Sequence, residues 1–289
     1  MPVKKVVKRS AKKAVKKKPK SQIDIVLPED VSAVSNRLED YSFLIYGERK
    51  IGKTELFSQF DRALFFMFDP LNVGLAIRQM YMPNWQTFKK ALEVLKKRLE
   101  IDPSYCKFVV IDTGFMAYER CYQYMVKEVL GIENAQNNDR GLAWKEISRE
   151  FMEAHDIIFQ LGLGLGVTAH AEITEVRRRD GSSYNKLTTQ LGAQAFKFYN
   201  GALDIVAFYQ YNKKNKRELT IRGNSLIEAG VRIQHDTHFK YADGTPIENI
   251  SMGTSAKQSY RNLMLAFNNQ LTKEGIKAKK KVPRKKTQF

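Results

Sequence analysis

The sequence predicts an α/β fold with a mainly parallel central sheet, flanked by helices and extended by antiparallel hairpins. Apolar runs of strand length alternate with helical segments over residues 41–172, as is typical of parallel strands joined by helical crossovers. Two later stretches, residues 172–190 and 202–223, each contain two strand patterns around a polar turn, which indicates hairpins. Lysine dominates both ends of the chain, where we expect disordered tails.

The first strand is predicted at residues 41–46, YSFLIY, and the helical sequence TELFSQF begins at residue 54. The loop between them matches the spacing G-x-x-x-x-G-K-[ST] of a P-loop. Such a loop directs backbone N–H groups at phosphate oxygens, and its lysine neutralises their charge. A solvated turn is the alternative interpretation. The predicted ATP-binding residues are Gly47, Glu48, Arg49, Lys50, Ile51, Gly52, Lys53, Thr54 and Glu55, and Lys53 is also predicted to be catalytic.

The next two predicted strands each lead to a carboxylate. Residues 62–70, RALFFMFDP, include Asp69, and residues 107–115, KFVVIDTGF, include Asp112. We predict that Asp112 and the Thr54 hydroxyl hold Mg²⁺ at the carboxyl edge of the sheet. Asp69 is the predicted general base that activates the attacking water. A helix cap for Asp112 and an Asp-Pro turn for Asp69 are the alternatives.

Three helices are predicted around these strands, at residues 84–101, 115–130 and 141–160, and a further strand is predicted at residues 163–172, LGLGVTAHAE. His170 lies at the end of the GVTAH run. We predict that it bonds the γ-phosphate or the attacking water and changes its contact with the nucleotide state. A capping histidine without function is the alternative.

Three consecutive arginines precede the Asp-Gly turn of the first predicted hairpin. Arg177, Arg178 and Arg179 follow His170 by only a few residues. We predict that they bind a DNA backbone more tightly in the ATP state, because movement at His170 would shift the attached hairpin. Charges that protect an exposed sheet edge from pairing are the alternative explanation.

The net charge of +18 is concentrated at the two ends of the chain. Residues 1–20 contain ten basic residues and residues 277–289 contain seven, with no acid in either segment. Residues 21–276 are nearly neutral, and they show no internal repeat or long linker, so we predict a single domain there. Basic tails of this kind contact nucleic acid through its phosphates, although a membrane surface or simple solubility also fits them. No run of about 18 apolar residues predicts a membrane span.

The cysteines and histidines give little indication of a metal site. Cys106 and Cys121 are expected to be reduced thiols. The sequence HDTHF contains His235, Asp236 and His238, but no complementary ligand pair stands out elsewhere.

Taken in order, GERKIGKTE, FFMFDP, VVIDT, AWKEISREFMEAHDIIFQL, GVTAHAE and IRGNSLIEAGVR resemble RecA-like P-loop ATPases encoded by bacteriophages, the Sak-type single-strand annealing and recombination group. The resemblance covers residues 40–235. It implies a RecA-like fold, ATP and Mg²⁺ as cofactors, binding of single-stranded DNA, and assembly into a homo-oligomeric ring or filament. It also implies that Arg222 reaches the nucleotide of a neighbouring subunit. In that family the position of Asp69 commonly holds Glu.

Three interpretations of function follow. The first is an ATPase that acts on single-stranded DNA in recombination, annealing or replication, in the host cytoplasm and close to the nucleoid. The second is an accessory or loader ATPase that contacts replication or recombination proteins such as a helicase or nuclease. The third is a nucleotide-binding structural protein of the nucleoid with little turnover, because Asp69 is one methylene shorter than Glu.

Overall fold

The computed structural model describes residues 29–137, 141–233 and 237–272. The predicted tails at residues 1–20 and 277–289, both boundaries of the predicted domain, and His235 with Asp236 lie outside these residues. Ser35 is the first residue of the larger of two compact units. All strands and helices of the described chain belong to that unit.

The strands of the described chain are β1 Ser42–Gly47, β2 Ala63–Met67, β3 Arg78–Tyr81, β4 Phe108–Asp112, β5 Gly164–Arg177, β6 Ser183–Thr189, β7 Ile205–Tyr211, β8 Arg217–Thr220, β9 Gly230–Val231 and β10 Asn249–Ser251. The α-helices are α1 Lys53–Phe57, α2 Trp85–Ile101, α3 Gly114–Tyr124, α4 Leu142–Gln160, α5 Ala193–Ala202 and α6 Ala256–Phe267. A π-helical turn at Met125–Val129 continues α3. None of the described helices has both the length and the apolar character needed to cross a membrane.

The central sheet has the order β10-β8-β7-β1-β5-β4-β2-β3. The six strands from β7 to β3 are parallel, whereas β8, β9 and β10 add antiparallel pairs at the β7 edge. This arrangement confirms the predicted α/β class and its mainly parallel sheet. Because β5 lies between β1 and β4, the carboxyl ends of these three strands meet at one edge, where ligands bind in open α/β sheets.

Strand β5 differs from the prediction, which separated a strand at residues 163–172 from a hairpin at 172–190. It is one continuous strand of 14 residues. Its first half pairs with β1 and β4 in the sheet, and from Ala171 to Arg177 it pairs only with β6. The predicted antiparallel hairpin is therefore present, but it grows directly out of a central strand.

Alternate side chains of β1 enter two separate cores, one on each face of the sheet. Leu44 and Tyr46 pack on the face covered by α2, α3, α4 and α5, whereas Phe43 and Ile45 pack on the face covered by α1 and α6. Burial on both faces explains why the strand is apolar at successive positions instead of alternating. The amphipathic helix α2 begins after Asn84, whose side chain accepts from Thr87 N.

Both cysteines are free and buried. Burial raises the pKa of the Cys106 thiol to about 11 and also raises the pKa of Cys121 well above its ordinary value. Neither thiol is therefore a reactive thiolate at neutral pH.

Candidate functional site

The loop between β1 and α1 has a backbone conformation that requires glycine at two positions. A Cβ on Gly47 would lie 2.0 Å from the carbonyl oxygen of Tyr209 on β7, so no side chain fits there. Gly52 has φ +105°, a left-handed conformation that side chains disfavour. Glu48, Arg49 and Lys50 are exposed between these glycines. The loop is therefore closed tightly at both ends and open to solvent in the middle.

Lys53 is a buried cation with only neutral hydrogen-bond acceptors. The residue is 6% exposed, and Nζ donates to the carbonyl oxygens of Gly47 at 3.1 Å and Glu48 at 2.7 Å. Burial lowers the pKa of Lys53 to about 8, although the charges of Asp112 and Glu48 oppose this effect. A partly desolvated ammonium group gains strongly from an added anion, because water no longer solvates it fully. The loop is thus suited to phosphate oxygens.

Asp112 lies at the end of β4, where two threonine hydroxyls hold its carboxylate. Thr54 Oγ1 donates to Oδ2 at 2.7 Å, and Thr168 Oγ1 on β5 donates to Oδ1 at 2.5 Å. The structure therefore brings together the two predicted Mg²⁺ ligands, Thr54 and Asp112. Mg²⁺ is commonly held by one or two such protein oxygens together with phosphate oxygens and water.

Asp69 lies two residues beyond the end of β2 and is joined to the segment that carries Asp112. Thr113 Oγ1 donates to Asp69 Oδ2 at 3.0 Å, and the N–H of Phe68 donates to the carbonyl oxygen of Asp112 at 2.7 Å. Asp69 is partly exposed, while Thr113 is buried. Its carboxylate is thus held beside the site with one oxygen already engaged.

His170 faces Gly47 across the paired strands β1 and β5. Its Nδ1 is buried and has no hydrogen-bond partner among the described residues. Burial lowers the pKa of His170, and the charges of Lys53 and Arg49 lower it further. The ring is therefore neutral at neutral pH, and its Nδ1 is shielded from solvent.

A cavity of about 370 Å³ is bordered by Lys53, Asp112 and His170, whereas Asp69 is not among its lining residues. Its lining residues are Lys50, Gly52, Lys53, Thr54, Glu55, Asn72, Gly74, Leu75, Asp112, Thr113 and His170. Sequence reasoning missed the segment from Asn72 to Leu75, which follows β2 and is tied to β3 because Gln79 exchanges two hydrogen bonds with the backbone of Asn72. A Gly-containing loop at the carboxyl end of a strand was the only signal for it.

Arg217, at the start of β8, is a second residue that the sequence did not reveal. Its Nη1 donates to the carbonyl oxygen of Ile51 at 3.3 Å and lies 3.9 Å from the carboxylate of Glu55. Nη2 donates to the carbonyl oxygen of Thr254. The side chain is only 15% exposed, so it braces the P-loop from outside the cavity.

The hairpin is also connected to the P-loop strand through the segment that contains Glu228. The buried Tyr46 hydroxyl donates to the carbonyl oxygen of Glu228 at 2.5 Å. Glu228 N donates to the carbonyl oxygen of Leu187 on β6, and its carboxylate pairs with Lys186. The segment at Glu228 thus connects β1 to β6 through hydrogen bonds.

The remaining predicted residues lie away from the cavity. Arg177, Arg178 and Arg179 are exposed at the hairpin tip, where Arg178 stacks over the ring of Tyr184 at 4.7 Å. Arg222 follows β8, and its Nε donates to the carbonyl oxygen of Ile247 at 3.2 Å. Of the HDTHF histidines, only His238 is described, and it is buried with Nδ1 beside the carbonyl oxygen of Phe267. Among the described residues, no three His, Cys, Asp or Glu side chains form a metal-binding group.

The tight glycine positions, the buried cation and the paired hydroxyl and carboxylate fit the phosphates of a nucleotide with Mg²⁺. Thr54 and Asp112 are the residues that would hold Mg²⁺, which would supply positive charge to neutralise the phosphates. The fold and this site define a P-loop nucleotide-binding ATPase.

Residues 39–233, about two thirds of the chain, match a family model described as AAA domain. The chain belongs to this AAA domain family of P-loop ATPases. A comparison with curated proteins finds none that matches the chain.

Proposed function

We propose that this protein is an ATPase that acts on single-stranded DNA in phage recombination, annealing or replication, with hydrolysis stimulated by DNA. The observation that carries the proposal is the course of β5, which runs from the nucleotide site into an exposed hairpin that ends in arginines. The AAA domain family supports the ATPase part. The phage origin and the DNA substrate are proposals drawn from the sequence resemblance and from this geometry.

On the nucleotide side, the protein groups have distinct tasks. Lys53 places a buried positive charge where phosphate charge develops during hydrolysis. Asp69 is the proposed general base, and Thr113 orients it by donating to Oδ2, which leaves Oδ1 for the attacking water. His170 lines the cavity, where its neutral ring would contact the γ-phosphate or that water.

On the DNA side, the hairpin presents three positive charges far from the sheet. Arg177 is seven residues beyond His170 on the same strand, which corresponds to about 23 Å at the usual rise per residue. Arginines at such a distance reach a DNA backbone that could not enter the nucleotide cavity. Contacts of this kind are independent of base sequence and depend strongly on salt.

Two connections support coupling between the sites. The first is β5 itself, in which His170 is the last residue paired with β1 and Ala171 is the first paired with β6. The second runs from Tyr46 through Glu228 to β6. If ATP and DNA each favour the same arrangement of the hairpin, each must raise the affinity of the other by the same factor.

We further propose that the active form is a homo-oligomer, a ring or a filament, in which Arg222 of one subunit approaches the nucleotide of the next. The sequence resemblance supports this role, and Arg222 is not among the residues that line the cavity of its own chain. Sedimentation with and without ATP and single-stranded DNA tests the assembly. Loss of hydrolysis in Arg222→Ala that is restored by mixing with Lys53→Met subunits would support the shared site, because mixed assemblies then contain complete sites.

The central experiment measures ATP turnover with increasing single-stranded DNA in two charge-matched variants. The test variant replaces Arg177, Arg178 and Arg179 with Ala. The control variant replaces three exposed lysines of helix α2 with Ala, namely Lys90, Lys96 and Lys97. Both variants lose three positive charges, so they separate a specific role of the hairpin from a change in net charge.

We expect the hairpin variant to lose DNA stimulation and ATP-dependent DNA binding while its basal ATP binding is retained, and the α2 variant to keep all of these properties. Full stimulation in the hairpin variant would contradict the coupling role. Turnover that is slow and unaffected by DNA in the unmodified protein would contradict the proposed function itself and would favour a loader or a structural nucleotide-binding protein.

A further inference from the structure

Thr168 is a fully buried hydroxyl whose acceptor is a functional carboxylate. Residues Phe108–Ile111 of β4 pair with Gly164–Val167 of β5, so Thr168 follows directly beside Asp112. Its Oγ1 donates to Asp112 Oδ1 at 2.5 Å, and it has no exposed surface. It does not line the cavity. Thr168 therefore acts on the site only through Asp112.

The two oxygens of Asp112 have different surroundings. Oδ2 faces Thr54, the other predicted Mg²⁺ ligand, at 2.7 Å, whereas Oδ1 faces the interior of the sheet and Thr168. A carboxylate that is held at only one oxygen can rotate about its Cβ–Cγ bond. The bond from Thr168 prevents this rotation and keeps Oδ2 directed at the cavity.

Packing alone does not require a hydroxyl at position 168. Valine has nearly the same shape as threonine and is favoured in strands, so it would fill this position equally well. A threonine here places a donor in a dry interior, which is stable only because a charged acceptor lies within reach.

We propose that Thr168 is a positioning residue for Mg²⁺, which fixes the Asp112 carboxylate so that its Oδ2 and the Thr54 hydroxyl are presented together to the metal. Groups that orient metal ligands in this way typically change metal affinity by roughly 10- to 100-fold when they are removed. This inference rests on Mg²⁺-nucleotide binding at the P-loop and is independent of DNA binding.

The test measures binding of a fluorescent ATP analogue as a function of Mg²⁺ concentration, and again in EDTA, for Thr168→Val and Thr168→Ser. Thr220→Val is the matched control, because Thr220 is also a buried strand threonine that donates to a side chain, Asn249, outside the cavity. Thermal unfolding of each variant in EDTA shows that the proteins are folded and compares their stability.

We expect Thr168→Val to need roughly 10- to 100-fold more Mg²⁺ for half-maximal tightening of nucleotide binding, with unchanged affinity in EDTA. Thr168→Ser should restore the Mg²⁺ dependence because it keeps the donor, and Thr220→Val should leave it unaltered. An unmodified Mg²⁺ dependence in Thr168→Val would overturn the proposal. So would a serine variant as defective as the valine variant, because the lost methyl group and not the hydroxyl would then be responsible. If binding to the unmodified protein is insensitive to Mg²⁺, the proposed metal site fails, and this inference fails with it.

Discussion

Nucleotide affinity should fall as the pH rises through about 8, because the charge of Lys53 is lost in that range. Burial lowers the pKa of this lysine from 10.5 to about 8 in the free protein. The group is therefore about 90% protonated at pH 7 and about 10% protonated at pH 9. If phosphate binding requires the protonated form, the dissociation constant should rise about tenfold between these two pH values.

The assay is binding of a fluorescent ATP analogue at constant Mg²⁺ and constant ionic strength, in steps from pH 7 to pH 9. Neither His170 nor Cys106 interferes in this range, since the pKa of His170 is lowered from 6.5 and that of Cys106 is about 11. Lys53→Met is the control. It should bind nucleotide far more weakly at every pH, and its residual affinity should not change between pH 7 and pH 9.

The lowered pKa of Lys53 makes the stability of the free protein change with pH in the opposite direction to its nucleotide affinity. Because folding lowers the pKa of Lys53, the unfolded chain binds more protons between pH 8 and 10.5, and the free energy of unfolding should rise with pH relative to Lys53→Met. The expected difference across this range is about 3 kcal/mol. Two results would refute the assignment of Lys53 as a buried, charged phosphate ligand. One is a nucleotide affinity of the unmodified protein that stays constant from pH 7 to pH 9. The other is an equal pH dependence of affinity in Lys53→Met.

Three further predictions test the other parts of the site. Asp69→Asn should keep nucleotide affinity and slow hydrolysis by roughly 10² or more, measured by single-turnover phosphate release; an unchanged rate would move the base to another carboxylate. Tyr46→Phe removes the hydrogen bond to Glu228 and should lower DNA stimulation of hydrolysis with basal turnover retained, whereas equal loss of both rates would indicate general damage to β1. Deleting residues 1–20 and 277–289 should flatten the plot of log affinity against log salt by roughly 0.7 for each lost single-strand phosphate contact, and an unaltered slope would exclude the tails from DNA binding.

Parts of the fold escaped sequence analysis for identifiable reasons. Strand β3 has only four residues at the sheet edge, and Met80 and Tyr81 are exposed there, so it shows neither an apolar run nor a clear alternation. Helices α5 and α6 and strands β9 and β10 also went unpredicted. The end predicted for the strand at residues 163–172 was wrong because β5 continues to Arg177 as it leaves the core. Its sequence changes from apolar to mixed while its backbone continues without a break.

Several of the predicted site residues could be identified from short stretches of sequence. Gly47, Gly52, Lys53 and Thr54 were predictable because a short sequence spacing specifies a loop and the start of the next helix. Asp112 was predictable because an apolar run that ends in a carboxylate places it at the edge of the sheet. Their positions follow from local chain geometry, which neighbouring residues determine.

The sequence by itself therefore determined the fold class, the P-loop, the two central carboxylates and the concentration of positive charge in the tails. Only the tertiary structure decided which distant groups support them. Thr168 lies 56 residues from Asp112, and Arg217 lies 166 residues from Ile51, yet each pair is in hydrogen-bond contact. The physical reason is that strand order and register create these contacts. A hydroxyl in a strand, or an arginine at the start of one, has no local pattern that distinguishes it from a solvent-facing neighbour until the sheet is assembled.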